Sequence, residues 1–360
     1  MRHYLDYNAT APARPEVIAE INKIYEMPLN ASSVHNEGRI AKSIIDKSRN
    51  KIAEIIGVFA SEIIFTASGT EANNWVIKSF SKNPIIVSAI EHLSILKAID
   101  NPLIIPVTSE GIIDLLALEK IIATQPTNFM ASVMLANNET GVIQPIKEIA
   151  EIVHKFGGIL HVDAVQAYGK IAINFNDLNC DIMTISAHKM GGIIGAAALI
   201  IKNNIPIKPM LLGGGQEKNR RAGTENIVAI SAFSKASELI DLSQMNNLRI
   251  WLNKMEEEIT LLGGKIIGKN SPRIPNTSCI FMPNVSSETQ IISFDLEGIS
   301  ISAGSACSSG RIEASHVLKA MNLPDTEINN TIRLSAGWNT SEDEINKFSK
   351  IWKKIFERKN

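Results

Sequence analysis

The chain has 360 residues, 45% of them apolar, with 36 basic side chains against 37 acidic ones and a formal net charge of -1 at pH 7. That length suits one large domain or two ordinary ones, and the even charge balance leaves no excess of Lys and Arg for nucleic acid or an anionic membrane surface. Cys180, Cys279 and Cys307 are too few and too far apart for a disulfide framework or a zinc site, so a reducing, cytoplasmic compartment and no metal are expected. The sequence starts without an apolar leader, and its longest apolar stretch, Ile193 to Ile201, is too short to span a bilayer.

Along the chain, helical and strand periods alternate. Ile40, Ile44, Ile45, Ile52, Ile55 and Ile56 share one helical face that ends at Gly57; EIIFTA (62–67) then reads as a strand and EANNWVIKSF (71–80) as a helix. The runs PIIVSAI, FMASVMLA, GILHVDA, DIMTISA and AAALIIK are short and almost wholly apolar, as expected of strands buried on both faces of a mainly parallel sheet. Between two of them QPIKEIAEIVHKFG (144–157) reads as an amphipathic helix, with Pro145 in its first turn and Gly157 closing it. This alternation predicts an α/β domain. Near residue 240 the pattern changes. Leu248, Trp251, Leu252, Met255, Ile259 and Leu262 form a long helical stripe, followed by strand-like NTSCIFM, helix-like ETQIISFDL, strand-like ISISA and TIRLSA, and a terminal helix, which predicts a smaller α+β unit. The expected division is 15–248 for the large domain and 1–14 with 249–360 for the small one.

The polar groups that carry chemistry fall at the ends of strand runs, where open α/β sheets place their ligands. HVDAVQ (161–166) contributes Asp163 and Gln166, and SAHK (186–189) contributes Ser186, His188 and Lys189. A Lys and a carboxylate facing one cavity from neighbouring strands are what pyridoxal phosphate chemistry needs, the Lys for a Schiff base and the carboxylate to keep the pyridine nitrogen protonated. Ser68-Gly69-Thr70-Glu71, between a strand and a helix, offers a phosphate site: Gly69 admits close approach, Thr70 gives a hydroxyl, and the helix start gives free N–H groups. The same four residues also form an ordinary capping box. His92 after a strand run is either a surface or capping residue or a general acid/base, and Asn138 either holds a ligand or sits in a turn that Asn137 builds. Cys180, just before the run DIMTIS, and Cys279, inside NTSCIFM, read as inert and partly buried, whereas Cys307 lies in SAGSACSSG (302–310), whose small residues favour an accessible thiol. Arg333 in TIRLSAG is placed either for bidentate carboxylate binding or for a surface ion pair.

Taken in order, SGTEANN, EH, NNETG, HVDAVQ, SAHK, RAGTEN and SAGSACSSG resemble the cysteine desulfurases of nitrogen fixation and iron-sulfur cluster assembly, essentially end to end. The resemblance implies a fold type I pyridoxal 5'-phosphate enzyme with a seven-stranded sheet. It converts L-cysteine to L-alanine and leaves the sulfur as a persulfide on Cys307, for a cluster scaffold or another sulfur carrier. It also implies that Lys189 binds the cofactor covalently, Asp163 pairs with the ring nitrogen, Gln166 bonds the ring hydroxyl, and His92 stacks on the ring and moves protons. Gly69, Thr70, Ser186 and His188 would hold the phosphate, joined by Thr224 of RAGTEN from the other subunit of a homodimer. Arg333 and Asn138, with Asn8 nearby, would orient the substrate carboxylate. The chain departs from the family pattern at Gly192-Ile-Ile-Gly195, where Gly-Pro-x-Gly is usual, at Leu29-Asn-Ala-Ser-Ser, and at Leu93 after the histidine. A selenocysteine lyase or related lyase would share everything but the dependence on Cys307. An aminotransferase would have no use for that loop, and a non-catalytic assembly subunit would keep the cofactor only as a structural element.

Overall fold

The computed structural model describes residues 2–306 and 312–359; Cys307 lies outside the described residues. Seven strands form the larger sheet: β1 (Ile63–Thr66), β2 (Ile85–Ser88), β3 (Leu103–Ile105), β4 (Met130–Met134), β5 (Ile159–Asp163), β6 (Ile182–Ser186) and β7 (Ala197–Ile201). Their order across the sheet is β1-β7-β6-β5-β4-β2-β3. Only β7 runs against the others, pairing antiparallel with both β1 and β6. The central strands are buried along almost their whole length, which is why their sequences are apolar runs rather than alternations. One core packs each face: Ile52, Phe129, Leu160 and Phe233 belong to the larger, and Trp75, Val87 and Leu199 to the smaller.

The helix predicted from the isoleucine stripe is α1 (Asn36–Ile56). It buries Ala41, Ile45, Ile52 and Ile56 and ends at Gly57, whose φ of 78° is a left-handed cap that a side chain would strain. Helix α2 (Gly69–Ser79) starts two residues after β1, and α3 (Ile146–Lys155) buries Ile146, Ile149 and Val153, with Pro145 at its cap rather than inside the first turn. After the long helix α4 (Leu242–Leu261) comes a second sheet of β8 (Lys265–Ile266), β9 (Thr277–Phe281), β10 (Ser302–Ala303) and β11 (Thr331–Ser335), in the order β10-β11-β9-β8. Helix α5 (Ser287–Leu296) and the terminal helix α6 (Glu342–Lys359) complete a separate core in which Phe294 and Phe348 stack at 4.5 Å. Among the described residues no helix is long and apolar enough to cross a membrane.

Two long-range connections position the site. Residues 3–10 run along the second sheet and then to the larger one: Asn8 donates its N–H to Ser335 Oγ, and its Nδ2 donates to Thr277 Oγ1 and the Asn138 carbonyl. Elsewhere the Glu217 carboxylate accepts from Nη1 and Nη2 of Arg49, both at 2.7 Å, and from the Phe65 N–H at 2.9 Å. That buried clamp holds three successive non-glycine residues, Glu217, Lys218 and Asn219, in left-handed conformations with φ of 46°, 58° and 63°.

Candidate active site

Strands β2, β4, β5 and β6 release their chain at the carboxyl edge of the larger sheet around a cavity of about 260 Å³. At one end of it, the Ser68 hydroxyl accepts the Glu71 N–H and caps α2, so the capping motif is real. Glu71 reaches back to the Ala67 N–H rather than to Ser68, and pairs with Arg221. Capping leaves other donors of the first turn free and the helix dipole directed at the cavity. A Cβ on Gly69 would come within 3.0 Å of Val165. Opposite this helix start, Ser186 Oγ is buried and has no partner among the described residues. His188 lines the same end, and burial with Lys189 and Lys170 nearby brings its pKa down to about 4, so it is neutral at physiological pH.

The other end of the cavity is anionic. Asp163 closes β5, with Oδ1 accepting the Val165 N–H at 2.9 Å and Oδ2 accepting Asn73 Nδ2 at 2.7 Å. Asn73 Nδ2 also donates to Ser94 Oγ, which contacts His92 Nδ1 at 2.8 Å. Lys189 follows β6 on a single 3-10 turn and donates to the carbonyls of Asn8 at 2.6 Å and Ala9 at 2.8 Å. Burial, then the Arg333 charge, lower its pKa to about 8, against the opposing pull of Asp6 and Asp163. Gln166 donates Nε2 to the Asn8 carbonyl and accepts from Lys170 Nζ at 2.7 Å. Lys170 also donates to Asn8 Oδ1, and burial depresses its pKa strongly.

A second cavity, of about 240 Å³, shares His92, Asn138, Gln166 and Lys189 with the first and adds Arg333. Arg333 projects from β11, donating Nη2 to Asp6 Oδ1 at 2.7 Å and Nη1 to the Asn138 carbonyl at 3.0 Å, while its buried Nε has no partner among the described residues. Lys189 therefore stands where two cavities join, one with an anion-binding end and a buried carboxylate, the other with a guanidinium. These features fit pyridoxal phosphate: an anion site with an orphaned hydroxyl, a carboxylate across from it, and an amine of lowered pKa between them.

Of the residues singled out from sequence, Gly69, Thr70, His92, Asn138, Asp163, Gln166, Ser186, His188 and Lys189 line the first cavity and Arg333 and Asn8 the second. The Asn8 side chain is a buried joint with all its polar groups bonded to protein. Thr224 is exposed and lines a separate cavity with Ala67 and Arg221. Cys180 and Cys279 are both buried, and burial pushes both thiols up in pKa. Sequence reasoning missed Asn73, Ser94, Lys170 and Asp6. The available signals were a polar residue on the buried face of α2 for Asn73 and a lone lysine inside an apolar run for Lys170.

The family model for aminotransferase class V matches residues 3–348. A cysteine desulfurase IscS of Dictyoglomus turgidum is 36% identical to this chain, covering 99% of it and 94% of the relative. Among solved structures, a NifS-like protein from Rickettsia africae superposes with a TM-score of 0.94 at 38% identity, covering 99% of this chain and all of the other. SspA in complex with cysteine superposes with a TM-score of 0.82 at 28% identity, covering 92% of this chain and 98% of the other.

Proposed function

This chain belongs to the aminotransferase class-V family, and on that premise we propose that it works as a pyridoxal-phosphate-dependent cysteine desulfurase. It takes sulfur from L-cysteine, releases L-alanine and carries the sulfur as a persulfide on Cys307. The observation that carries this reading is the placing of Lys189 at the join of an anion-binding cavity and a guanidinium-bearing one. Bound there, the cofactor supplies an electron sink for negative charge at the substrate Cα.

The chain's own residues do the rest. Gly69, Thr70, Ser186 and His188 would hold the phosphate, Asp163 would keep the ring nitrogen protonated, and Gln166 would bond the ring hydroxyl. Lys189 would anchor the cofactor and, as a neutral free amine, would take the substrate Cα proton, a form its lowered pKa favours. Arg333 and Asn138 orient the substrate carboxylate, with Asn8 fixing the wall beside them. Cys307 attacks the substrate sulfur as a thiolate. The S–S bond forms as the C–S bond breaks, the electron pair leaves with carbon, and that carbon takes up a proton to become the methyl of alanine.

In the same reading the protein is a homodimer in which Thr224 of each subunit reaches the phosphate of the other. Residues 15–248 hold the cofactor, and residues 1–14 with 249–360 carry the cysteine loop. It acts in the cytoplasm and passes its sulfur to an acceptor protein for cluster assembly or transfer-RNA thiolation. Mass spectrometry after incubation with L-cysteine tests the proposal. One sulfur atom should add at Cys307 and none at Cys180 or Cys279, and full sulfide release by Cys307→Ser would overturn it.

A further inference from the structure

His92 lines both cavities and is the first residue after Glu91 at the end of the β2 run. Which of its ring nitrogens carries the proton follows from its neighbours. The Asp163 carboxylate has only acceptors, so the group of Asn73 that meets it at 2.7 Å is the NH2. The second hydrogen of that NH2 goes to Ser94 Oγ at 2.9 Å. The Ser94 backbone N–H points to His92 Nδ1 at 3.1 Å, which makes that nitrogen an acceptor, so the Ser94 hydroxyl, 2.8 Å from the same nitrogen, turns its hydrogen toward it. Two donors converge on Nδ1. It is therefore an acceptor, and the neutral ring keeps its hydrogen on Nε2.

We propose that Ser94, held by Asn73, is a positioning residue that locks His92 as the Nε2–H tautomer, so that the ring presents a hydrogen-bond donor to the substrate. Burial works in the same direction by lowering the pKa of His92; among the charged groups facing it, Lys189 and His316 add to this and Asp163 opposes it. The proposal rests on the desulfurase reading for its consequence. A substrate thiol cannot hand its proton to Nε2 while that nitrogen is occupied. His92 instead donates to anionic sulfur, and proton removal falls to Lys189. For His92 to act as a base at Nε2, the Ser94 hydroxyl must turn away and the ring proton must move to Nδ1.

The test is long-range nitrogen–proton NMR on the full-length protein as purified, labelled with 15N-histidine, with His92→Gln used only to assign the signals. The expected result is an unprotonated Nδ1 and a protonated Nε2 at neutral pH. In Ser94→Ala the loss of one hydrogen bond to the neutral ring should raise the proton affinity of His92 by about three- to tenfold, and Ser94→Thr should restore it. An unprotonated Nε2 in the wild type overturns the proposal, as does a Ser94→Ala variant whose His92 titrates like the wild type. If Ser94→Ala does not fold, the wild-type spectrum decides alone. The readout needs neither substrate nor turnover, so a wrong tautomer leaves the desulfurase reading standing, and a failed desulfurase assay leaves the tautomer standing.

Discussion

Replacing Glu217 with Met tests how the left-handed segment at 217–219 is kept in place. The Glu217 side chain is 2% exposed and that of Arg49 is 9% exposed, and two parallel bonds of 2.7 Å join them. Glu217 also satisfies the Phe65 N–H at the third residue of β1, and the Arg49 guanidinium lies 4.8 Å from the Phe65 ring. Breaking a buried pair from one side costs about 3–5 kcal/mol, because the remaining charge is stranded. Roughly 1–2 kcal/mol returns for each left-handed residue that relaxes. If only one of the three residues relaxes, the expected net loss is about 1–4 kcal/mol. Equilibrium urea unfolding at fixed protein concentration measures it. The double variant Glu217→Met with Arg49→Met strands no charge and should recover most of the loss, giving a clear coupling energy. A loss under about 1 kcal/mol for the single variant, or a double variant as costly as the sum of the singles, would refute the clamp.

Only the unprotonated Lys189 amine adds to an aldehyde, so cofactor uptake by the stripped protein should accelerate as pH rises through about 8. Arg333 is the charge that most lowers this pKa and the one that pairs with Asp6, which raises it; Arg333→Gln should therefore move that limb to higher pH in stopped-flow absorbance. Arg333→Lys keeps the charge but cannot serve Asp6 and the Asn138 carbonyl together while binding a carboxylate. KM for L-cysteine should rise by about tenfold with a smaller change in kcat, the loss of one charge-assisted hydrogen bond. Lys189→Ala should abolish the visible absorbance of lysine-linked cofactor, and an unchanged band would remove Lys189 from its role. Alkylation of the native protein followed by peptide mapping should leave Cys180 and Cys279 unlabelled, because burial keeps both as inaccessible thiols.

The parts of this fold legible in sequence are those written locally. Strands β4 to β7 are covered on both faces, and that requirement appears as uninterrupted apolar runs. Asp163, Ser186 and Lys189 were visible because a polar residue just past such a run marks the sheet edge. The reversal of β7 was not visible, since an apolar run looks the same in either direction. The hydrogen-bonded partners were hidden for another reason. Asp6 meets Arg333 across 327 positions and Asn73 meets Asp163 across 90, and no local period records such pairs. Thr224 carries a family motif, yet within a single chain it lines a different cavity from the one that motif implies.

The joint made by Asn8 gives the active site a place in time as well as in space. Its carbonyl holds the Lys189 amine, while its side chain and N–H are held by Thr277 and Ser335, the latter 327 positions further along the chain. During synthesis Asn8 leaves the ribosome long before Ser335 exists, and Lys189 emerges while the Arg333 side of its second cavity is still unmade. Loop closure over that distance comes late in folding. The Lys189 amine therefore receives its final geometry only when the second sheet closes, and a chain that ends before β11 lacks both Arg333 and the Ser335 anchor of Asn8.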